Sequence, residues 1–203
     1  MKTSEVIEAT ARYVRKALAE AEGGHDWWHV QRVWYTAQHL AHREGGAGLV
    51  VELGALLHDI ADAKFHHGDE EEGPRRTAAY LNSQSVAPEV VAAVVHIVRQ
   101  VSFRKGAVAD TLELAIVQDA DRLDALGAVG IARAFSYGGY KGQPLYDPDH
   151  PATPTTLRHF YDKLLRLKDR MNTETGRQIA AERHQFMEQY VAQFLREVNS
   201  EPR

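Results

Sequence analysis

Residues 50–59 read VVELGALLHD, an apolar run broken by Glu52 and followed directly by His58 and Asp59. The run predicts a buried helix over 50–57, and the polar segment 62–74 that follows predicts a loop. Burying an ionised carboxylate without a partner is expensive, so Asp59 should meet a cation, a hydrogen-bond donor or water at this helix end. A His-Asp pair alone is common in proteins, and it indicates a metal site only when further ligand-type residues join it.

Most of the chain has the apolar spacing of α-helices. Apolar residues recur at intervals of three and four in 6–18, 30–41, 50–57, 90–98, 112–123 and 179–198. No stretch alternates apolar and polar residues as a half-buried strand would. Gly23-Gly24 and Gly45-Gly46 mark helix ends. The predicted fold class is all-α, a helical bundle with a smaller C-terminal helical extension.

The length of 203 residues predicts one domain over 1–203. We expect a core over about 1–135, a loop over 137–155 that contains four prolines, and C-terminal helices over 156–199 packed on the core. Loops longer than about 12–15 residues are often lids or mobile segments, so this one either borders the functional site or is a surface loop. The apolar stripe of the last helix is interpreted as core, with a dimer interface as the alternative, and a homo-oligomer is left open.

The composition is that of an ordinary globular protein, with 44% apolar and 26% charged residues. The net charge of −4 gives no general attraction to polymeric nucleic acid, and none is expected as a partner. Because the chain has no cysteine, disulfides, thiolate nucleophiles and cysteine-ligated zinc are excluded. Eleven histidines leave a metal site of imidazole and carboxylate ligands open.

The chain shows no sign of membrane insertion or export. Residues 1–21 mix charges throughout and lack the apolar core of a signal peptide. No stretch approaches the roughly 20 apolar residues that a transmembrane helix needs. We therefore expect a cytoplasmic protein without a membrane partner.

Other ligand-type residues interrupt apolar helix faces. His29 begins the predicted helix 30–41, where its ring can point into the bundle. Asp121 continues the face of Leu114 and Val117, so a carboxylate stands where the pattern calls for an apolar residue. Asp119 continues another apolar face of the same helix, so periodicity alone does not choose between the two aspartates.

The sequence resembles the HD-domain phosphohydrolases, whose signature is a histidine, a distant His-Asp pair and a later aspartate. The matching segments are 25–30 (HDWWHV), 56–60 (LLHDI) and 118–125 (QDADRLDA). A basic residue and a leucine usually follow the family's last ligand, and this favours Asp121 over Asp119. Residues 160–175 are similar to the tail of a bacterial HD subgroup, so the resemblance covers most of the chain.

The resemblance implies that His29, His58, Asp59 and Asp121 bind one divalent metal ion. Two imidazoles and two carboxylates suit Mn, Mg, Fe, Co, Ni or Zn, of which Mn or Mg is favoured here. Such a site leaves coordination positions for water and a phosphate oxygen, which is a hydrolytic arrangement.

The resemblance and the positions of nearby polar residues suggest further roles. Asp62 is the expected general acid/base, with a loop-start cap as its alternative. Lys64 could hold a phosphate or be a solvated loop residue. His25 could orient a ligand or donate to phosphate, or act as a cap. Arg32, one turn after His29, could reach an anion or form an ion pair in the bundle.

Three further histidines lie between the His-Asp pair and Asp121, where dinuclear HD proteins carry two more ligands: His66, His67 and His96. A second metal would favour phosphodiester cleavage or iron-dependent oxygenation, and solvated surface histidines are the alternative. Trp27, Trp28 and Trp34 are interpreted as core residues, although stacking on a base is a second reading.

The predicted function is hydrolysis of a phosphate ester or anhydride in a small phosphorylated substrate, with a nucleotide favoured. The subgroup resemblance implies a nucleoside triphosphate split to monophosphate and pyrophosphate. The alternatives are a nucleoside 5′-monophosphate phosphatase, a cyclic-nucleotide phosphodiesterase and a non-catalytic nucleotide-sensing module.

Overall fold

The computed structural model of the protein describes residues 2–19, 26–61, 69–101, 108–150 and 152–199. These ranges contain nine α-helices, one 3-10 helix and no strand, which confirms the predicted all-α class. The helices are α1 (Thr3–Ala17), α2 (Trp27–Glu44), α3 (Gly48–Leu57), α4 (Glu72–Ser83), α5 (Pro88–Gln100), α6 (Leu112–Asp124), α7 (Gly127–Tyr140), α8 (Thr156–Asp162), the 3-10 helix η1 (Leu164–Arg170) and α9 (Glu174–Val198). No helix in the described ranges is both long enough and apolar enough to span a membrane.

The chain divides into two compact units, Met1–Asp121 and Arg122–Arg203. The division falls inside α6. Each unit has buried apolar residues of its own. The organisation as one domain over 1–203, with the C-terminal helices packed on the core, stays a prediction.

Helix α3 is the centre of the first unit. It packs against α1, α2 and α5, so it is covered on several sides. Its residues Leu53, Leu56 and Leu57 are fully buried, which explains why 50–57 is apolar all round and not on one stripe. The one charged residue of the run, Glu52, accepts hydrogen bonds from Trp34 Nε1 at 2.9 Å and from Gln38 Nε2 at 2.7 Å. Because α3 is packed on several sides, the residues that follow it, His58 and Asp59, have a fixed position.

The second unit is built from α7, α8, η1 and α9. Phe135 of α7 lies 5.8 Å from the ring of Phe160 in α8 and 6.0 Å from the ring of Tyr190 in α9. Side-chain caps begin two of its helices: Thr155 Oγ1 accepts from the Arg158 amide and Thr173 Oγ1 from the Gly176 amide. The aromatic contacts explain the apolar stripe of the last helix, and the caps explain where α8 and α9 begin.

The loop predicted over 137–155 is shorter in the structure. Helix α7 continues through Gly138 and Gly139 to Tyr140, so the break between helices covers 141–155. Gly138 is buried, and a Cβ built on it would lie 2.0 Å from Thr156 Oγ1. The glycine therefore permits close packing inside the second unit, and the predicted start of the loop at residue 137 is wrong. That this loop borders the functional site stays a prediction.

Two glycines of α7 should respond in opposite ways to substitution by alanine. A Cβ on Gly130 would lie 2.3 Å from the carbonyl oxygen of Ala125, whereas a Cβ on Gly139 would meet nothing within 4 Å. We expect Gly130→Ala to lower the free energy of unfolding by about 1–3 kcal/mol, because backbone cannot move aside as a side chain can. Gly139→Ala, the matched control, should raise it by about 0.5–1 kcal/mol. Urea unfolding measures both, and equal effects would contradict the packing seen here.

His159 predicts a pH dependence of stability. Burial lowers its pKa from the usual 6.5, with Lys163 acting in the same direction. The folded state therefore keeps this ring neutral while the unfolded state takes up a proton near pH 6.5, so stability falls as the pH drops through that value. Between about pH 7.5 and about pH 5.5, wild type should lose more free energy of unfolding than His159→Gln. His39→Gln, at an exposed position of α2, should follow the wild-type curve.

Candidate metal centre

Four side chains predicted as ligands come together from three places in the fold. His29 lies in the first turn of α2, His58 and Asp59 follow α3 directly, and Asp121 lies in the last turn of α6. His29 Nε2 is 3.3 Å from His58 Nε2, 3.4 Å from Asp59 Oδ2 and 3.5 Å from Asp121 Oδ1. His58 Nε2 is 3.5 Å and 3.8 Å from the same two oxygens. Each ring nitrogen is therefore close to both carboxylates.

These separations fit a single ion. With bonds of about 2.1 Å, two ligands of one metal lie about 3.0 Å apart at a right angle and about 3.4 Å apart at the tetrahedral angle. The ligand-type atoms of His29, His58 and Asp121 all lie within 4.8 Å of one another. In the described part of the chain, no other group of three or more ligand-type side chains converges in this way.

The charges also fit a divalent cation. Two carboxylates lie within 3.8 Å of the same pair of imidazole nitrogens, so a cation placed among these four groups would be attracted by both carboxylates. With neutral rings, the ionised carboxylates of Asp59 and Asp121 carry a formal charge equal and opposite to that of a divalent ion. The donor set thus suits such an ion in both number and charge.

The end of α3 orients His58. Its Nδ1 lies 2.7 Å from the carbonyl oxygen of Ala55, one of the last-turn carbonyls that has no partner within the helix. A carbonyl only accepts, so Nδ1 donates and the neutral ring presents the lone pair of Nε2 to the site. A hydrogen bond from the second ring nitrogen of a metal-binding histidine to a backbone carbonyl commonly fixes the tautomer in this way.

The start of α2 orients His29. Asp26, the N-cap residue, has extended backbone, and its Oδ1 accepts from the backbone amide of His29 at 2.9 Å. This cap fixes the first helical turn, from which the His29 ring extends into the buried site. The roles of Asp26 and of the Ala55 carbonyl were not foreseen from the sequence. The preference for aspartate at helix starts could have identified Asp26.

The histidines are the buried part of the site and the carboxylates are its accessible part. The side chains of His29 and His58 are 1% and 2% exposed, against 16% for Asp59 and 30% for Asp121. Solvent therefore reaches the carboxylates more readily than the histidines.

The structure distinguishes the two aspartates that periodicity left open. Residues two apart on an α-helix point about 200° away from each other, so Asp119 and Asp121 face in nearly opposite directions. Asp121 faces the two histidines, whereas Asp119 is fully buried.

The remaining predicted site residues are placed as follows. Arg32 lies on α2 one turn after His29 and is half-buried. His25, Asp62, Lys64, His66 and His67 lie outside the described residues. His96 Nε2 lies 2.8 Å from Asp110 Oδ1, a hydrogen bond that lowers the pKa of Asp110, and His96 is not part of the converging group.

The interpretation of the tryptophans as core is right for one of them and wrong for another. Trp27 is 8% exposed and belongs to the apolar cluster of the first unit, and Trp34 is half-buried. Trp28 is 56% exposed, and the guanidinium of Arg15 lies 5.9 Å from its ring centroid. Adjacent helix positions point about 100° apart, so one tryptophan of the pair can be buried while its neighbour faces solvent.

The sequence model of the HD domain family matches residues 27–126, a range that contains all four converging side chains. The chain belongs to the HD-domain family. This HD-domain protein is accordingly an enzyme of the metal-dependent phosphohydrolase type, and the expected family is confirmed.

Relatives match over nearly the whole length. The chain is 40% identical over 206 aligned residues to the uncharacterized protein YpgQ of Bacillus subtilis (strain 168), over 98% of this chain and 96% of YpgQ. A structure of YpgQ in complex with ADP superposes with a TM-score of 0.79 and 36% identity, over 96% of this chain and 98% of that one. An HD-superfamily hydrolase from Bacillus thuringiensis superposes with a TM-score of 0.82 and 42% identity, over 98% of this chain and 100% of that one.

Metal binding should be visible as stabilisation. A ligand that binds only the folded state raises the free energy of unfolding by about 2.7 kcal/mol at one hundred times its dissociation constant. We expect added Mn²⁺ to raise the melting temperature of wild type, but not of His58→Ala or Asp121→Ala, each of which removes one ligand-type group. His39→Ala, on an exposed position of α2, is the control and should respond like wild type. An undiminished response of both site variants would contradict the metal centre.

Proposed function

We propose that this HD-domain protein hydrolyses a nucleoside triphosphate to the monophosphate and pyrophosphate, with one divalent ion, Mn or Mg favoured, held by His29, His58, Asp59 and Asp121. The observation that carries the proposal is the approach of both ring nitrogens to both carboxylates within 3.8 Å. These four residues would hold a divalent ion, which would supply neutralisation of phosphoryl charge and a bound water acidic enough to act as nucleophile near neutral pH.

The choice of a nucleotide is supported by a relative. YpgQ has been crystallised with ADP, and it is similar to this chain over nearly the full length of both. ADP carries the base, sugar and phosphoanhydride that a nucleoside triphosphate also presents. This supports the class of substrate, and the bond that is cleaved follows from the subgroup resemblance.

The protein's own groups have separate tasks in this proposal. The hydrogen bond to Ala55 keeps the lone pair of His58 Nε2 directed into the site, and the Asp26 cap places the His29 ring. The carboxylates are more exposed than the histidines, and the triphosphate is proposed to approach from their side of the site. Precise placement before reaction reduces the entropy that must be lost in the transition state.

Four further side chains are proposed to handle protons and phosphate charge. Asp62, three residues after Asp59, is assigned as the general acid/base, and Lys64 and His25 as phosphate contacts. Arg32 is half-buried one turn from His29, and its guanidinium is proposed to bind a phosphate oxygen when substrate is present.

Two other functions are weighed against this one. A nucleoside 5′-monophosphate phosphatase or a cyclic-nucleotide phosphodiesterase could use the same centre and would release different products. A non-catalytic nucleotide-sensing module would not need the complete ligand set, so the convergence of all four groups favours catalysis. We also infer a cytoplasmic location.

Turnover should depend on added metal, and the products released should identify the reaction. Purified protein with Mn²⁺ or Mg²⁺ and a panel of nucleoside tri- and monophosphates should release pyrophosphate from triphosphates, and chelation should stop the reaction. Release of inorganic phosphate from monophosphates would favour the phosphatase. Nucleotide binding without any product would favour the sensor, and full turnover after rigorous chelation would contradict a metal mechanism.

Asp62→Ala should separate proton transfer from metal binding. Loss of a general acid/base lowers kcat by about 10²–10⁴-fold, whereas Mn²⁺ affinity should stay close to that of wild type. Glu89→Ala, which removes an exposed carboxylate from α5, is the control and should keep full activity. Full activity of Asp62→Ala would show that the assigned role is wrong.

A further inference from the structure

One acidic residue of the segment around Asp121 is not used by the metal centre. Asp124, the last residue of α6, is 4% exposed. Its Oδ2 accepts a hydrogen bond from Arg133 Nη1 of α7 at 2.5 Å, and the same nitrogen lies 3.3 Å from the backbone carbonyl oxygen of Asp124. One guanidinium therefore binds both the side chain and the backbone at the end of the helix.

A second arginine binds the neighbouring carbonyl. Arg183 Nη1 of α9 donates to the carbonyl oxygen of Leu123 at 2.6 Å. The stem of Arg183 lies against Gly127, where a Cβ would meet its side-chain carbons at 3.1–3.4 Å, and Gly127 has a φ of +72°. The last carbonyls of a helix have no partners within it, and basic side chains satisfy them. At the end of α6 two half-buried arginines, Arg133 and Arg183, bind these carbonyls.

The turn after α6 has little freedom to adjust. Gly130 packs so closely on the carbonyl of Ala125 that a Cβ would lie 2.3 Å from its oxygen. A buried ion pair contributes little net stability over an apolar pair of the same volume, whereas its directional hydrogen bonds fix an orientation. The pairing of Asp124 with Arg133 is therefore better explained by a need for position than by a need for stability.

Asp121 shares the last turn of α6 with the residues that these arginines hold. It precedes Asp124 by three residues, which is about 4.5 Å along the helix axis. A shift or fraying of the last turn would move the Asp121 carboxylate, whose oxygen lies 3.5 Å from His29 Nε2. Metal affinity responds strongly to such movements, since outer partners of metal ligands typically change it by about 10–100-fold.

We propose that Asp124, Arg133 and Arg183 are positioning residues that fix the last turn of α6 and thereby hold the Asp121 carboxylate at the metal centre. The proposal rests on the metal centre of the proposed function. It assigns to Asp124 the role of an anchor, distinct from the ligand role of Asp121 in the same segment.

The test is the dissociation constant of Mn²⁺, measured by calorimetry on the full chain. Asp124→Asn and Arg133→Gln should each weaken binding by about tenfold or more, and Arg133→Lys, which keeps a charged donor, should recover part of the loss. The double variant should be no weaker than the worse single variant, because the two residues act as one unit.

The signs of the two single effects exclude a purely electrostatic explanation. Neutralising Asp124 removes a negative charge and would weaken cation binding through charge alone. Neutralising Arg133 removes a positive charge and would strengthen it. Positioning predicts weaker binding in both cases, so tighter binding by Arg133→Gln would overturn the proposal.

Two more variants separate an effect on metal binding from a general loss of stability or folding. Val191→Ala shortens a buried side chain of α9 in the second unit, and it should lower stability while leaving the Mn²⁺ dissociation constant unchanged. If Asp124→Asn does not fold, Arg183→Met, which removes the donor to Leu123 and keeps an apolar stem, should still weaken binding several-fold. Equal affinity of wild type and all folded variants would overturn this inference alone. A wild type that binds no Mn²⁺ would overturn the metal centre and this inference with it.

Discussion

The structure depends on bringing two carboxylates and two imidazoles into one small space. Each of the two ring nitrogens lies within 3.8 Å of both carboxylates. The packing of helices positions these groups, because α3 packs against α1, α2 and α5 and ends directly at His58 and Asp59. The same packing that buries the leucines of α3 therefore places two of the four ligand-type residues.

Helix ends provide the finer positioning. An α-helix leaves amides unpaired at its start and carbonyls unpaired at its end, and both kinds of group are used at the site. The Asp26 carboxylate binds the amide of His29, the ring of His58 binds the carbonyl of Ala55, and arginines bind the last carbonyls of α6. The burial of the histidines and the partial exposure of the carboxylates then give the site a closed side and an accessible side.

Much of the fold could be predicted from residue spacing, and the errors share one physical cause. The helices are visible in the sequence because an interval of three to four matches the turn of an α-helix. The predicted loop over 137–155 includes Gly138 and Gly139, but both lie in α7, where Gly138 allows Thr156 to pack closely. Trp28 is predicted to be a core residue, but it is exposed. In both cases the structure at that position depends on which residues from other parts of the chain pack against it. A local sequence pattern does not contain that information.

The sequence by itself determined the helical class, the exclusion of cysteine chemistry and the family whose signature includes His29, His58, Asp59 and Asp121. The family pattern favours Asp121 over Asp119, and the tertiary structure supplies the geometric reason: both continue apolar faces of one helix, but Asp121 is the one that lies close to His29 and His58. It also gave Asp124 a partner in Arg133. Spacing along a chain records which side of a helix a residue occupies, whereas the packing of helices decides what that side meets.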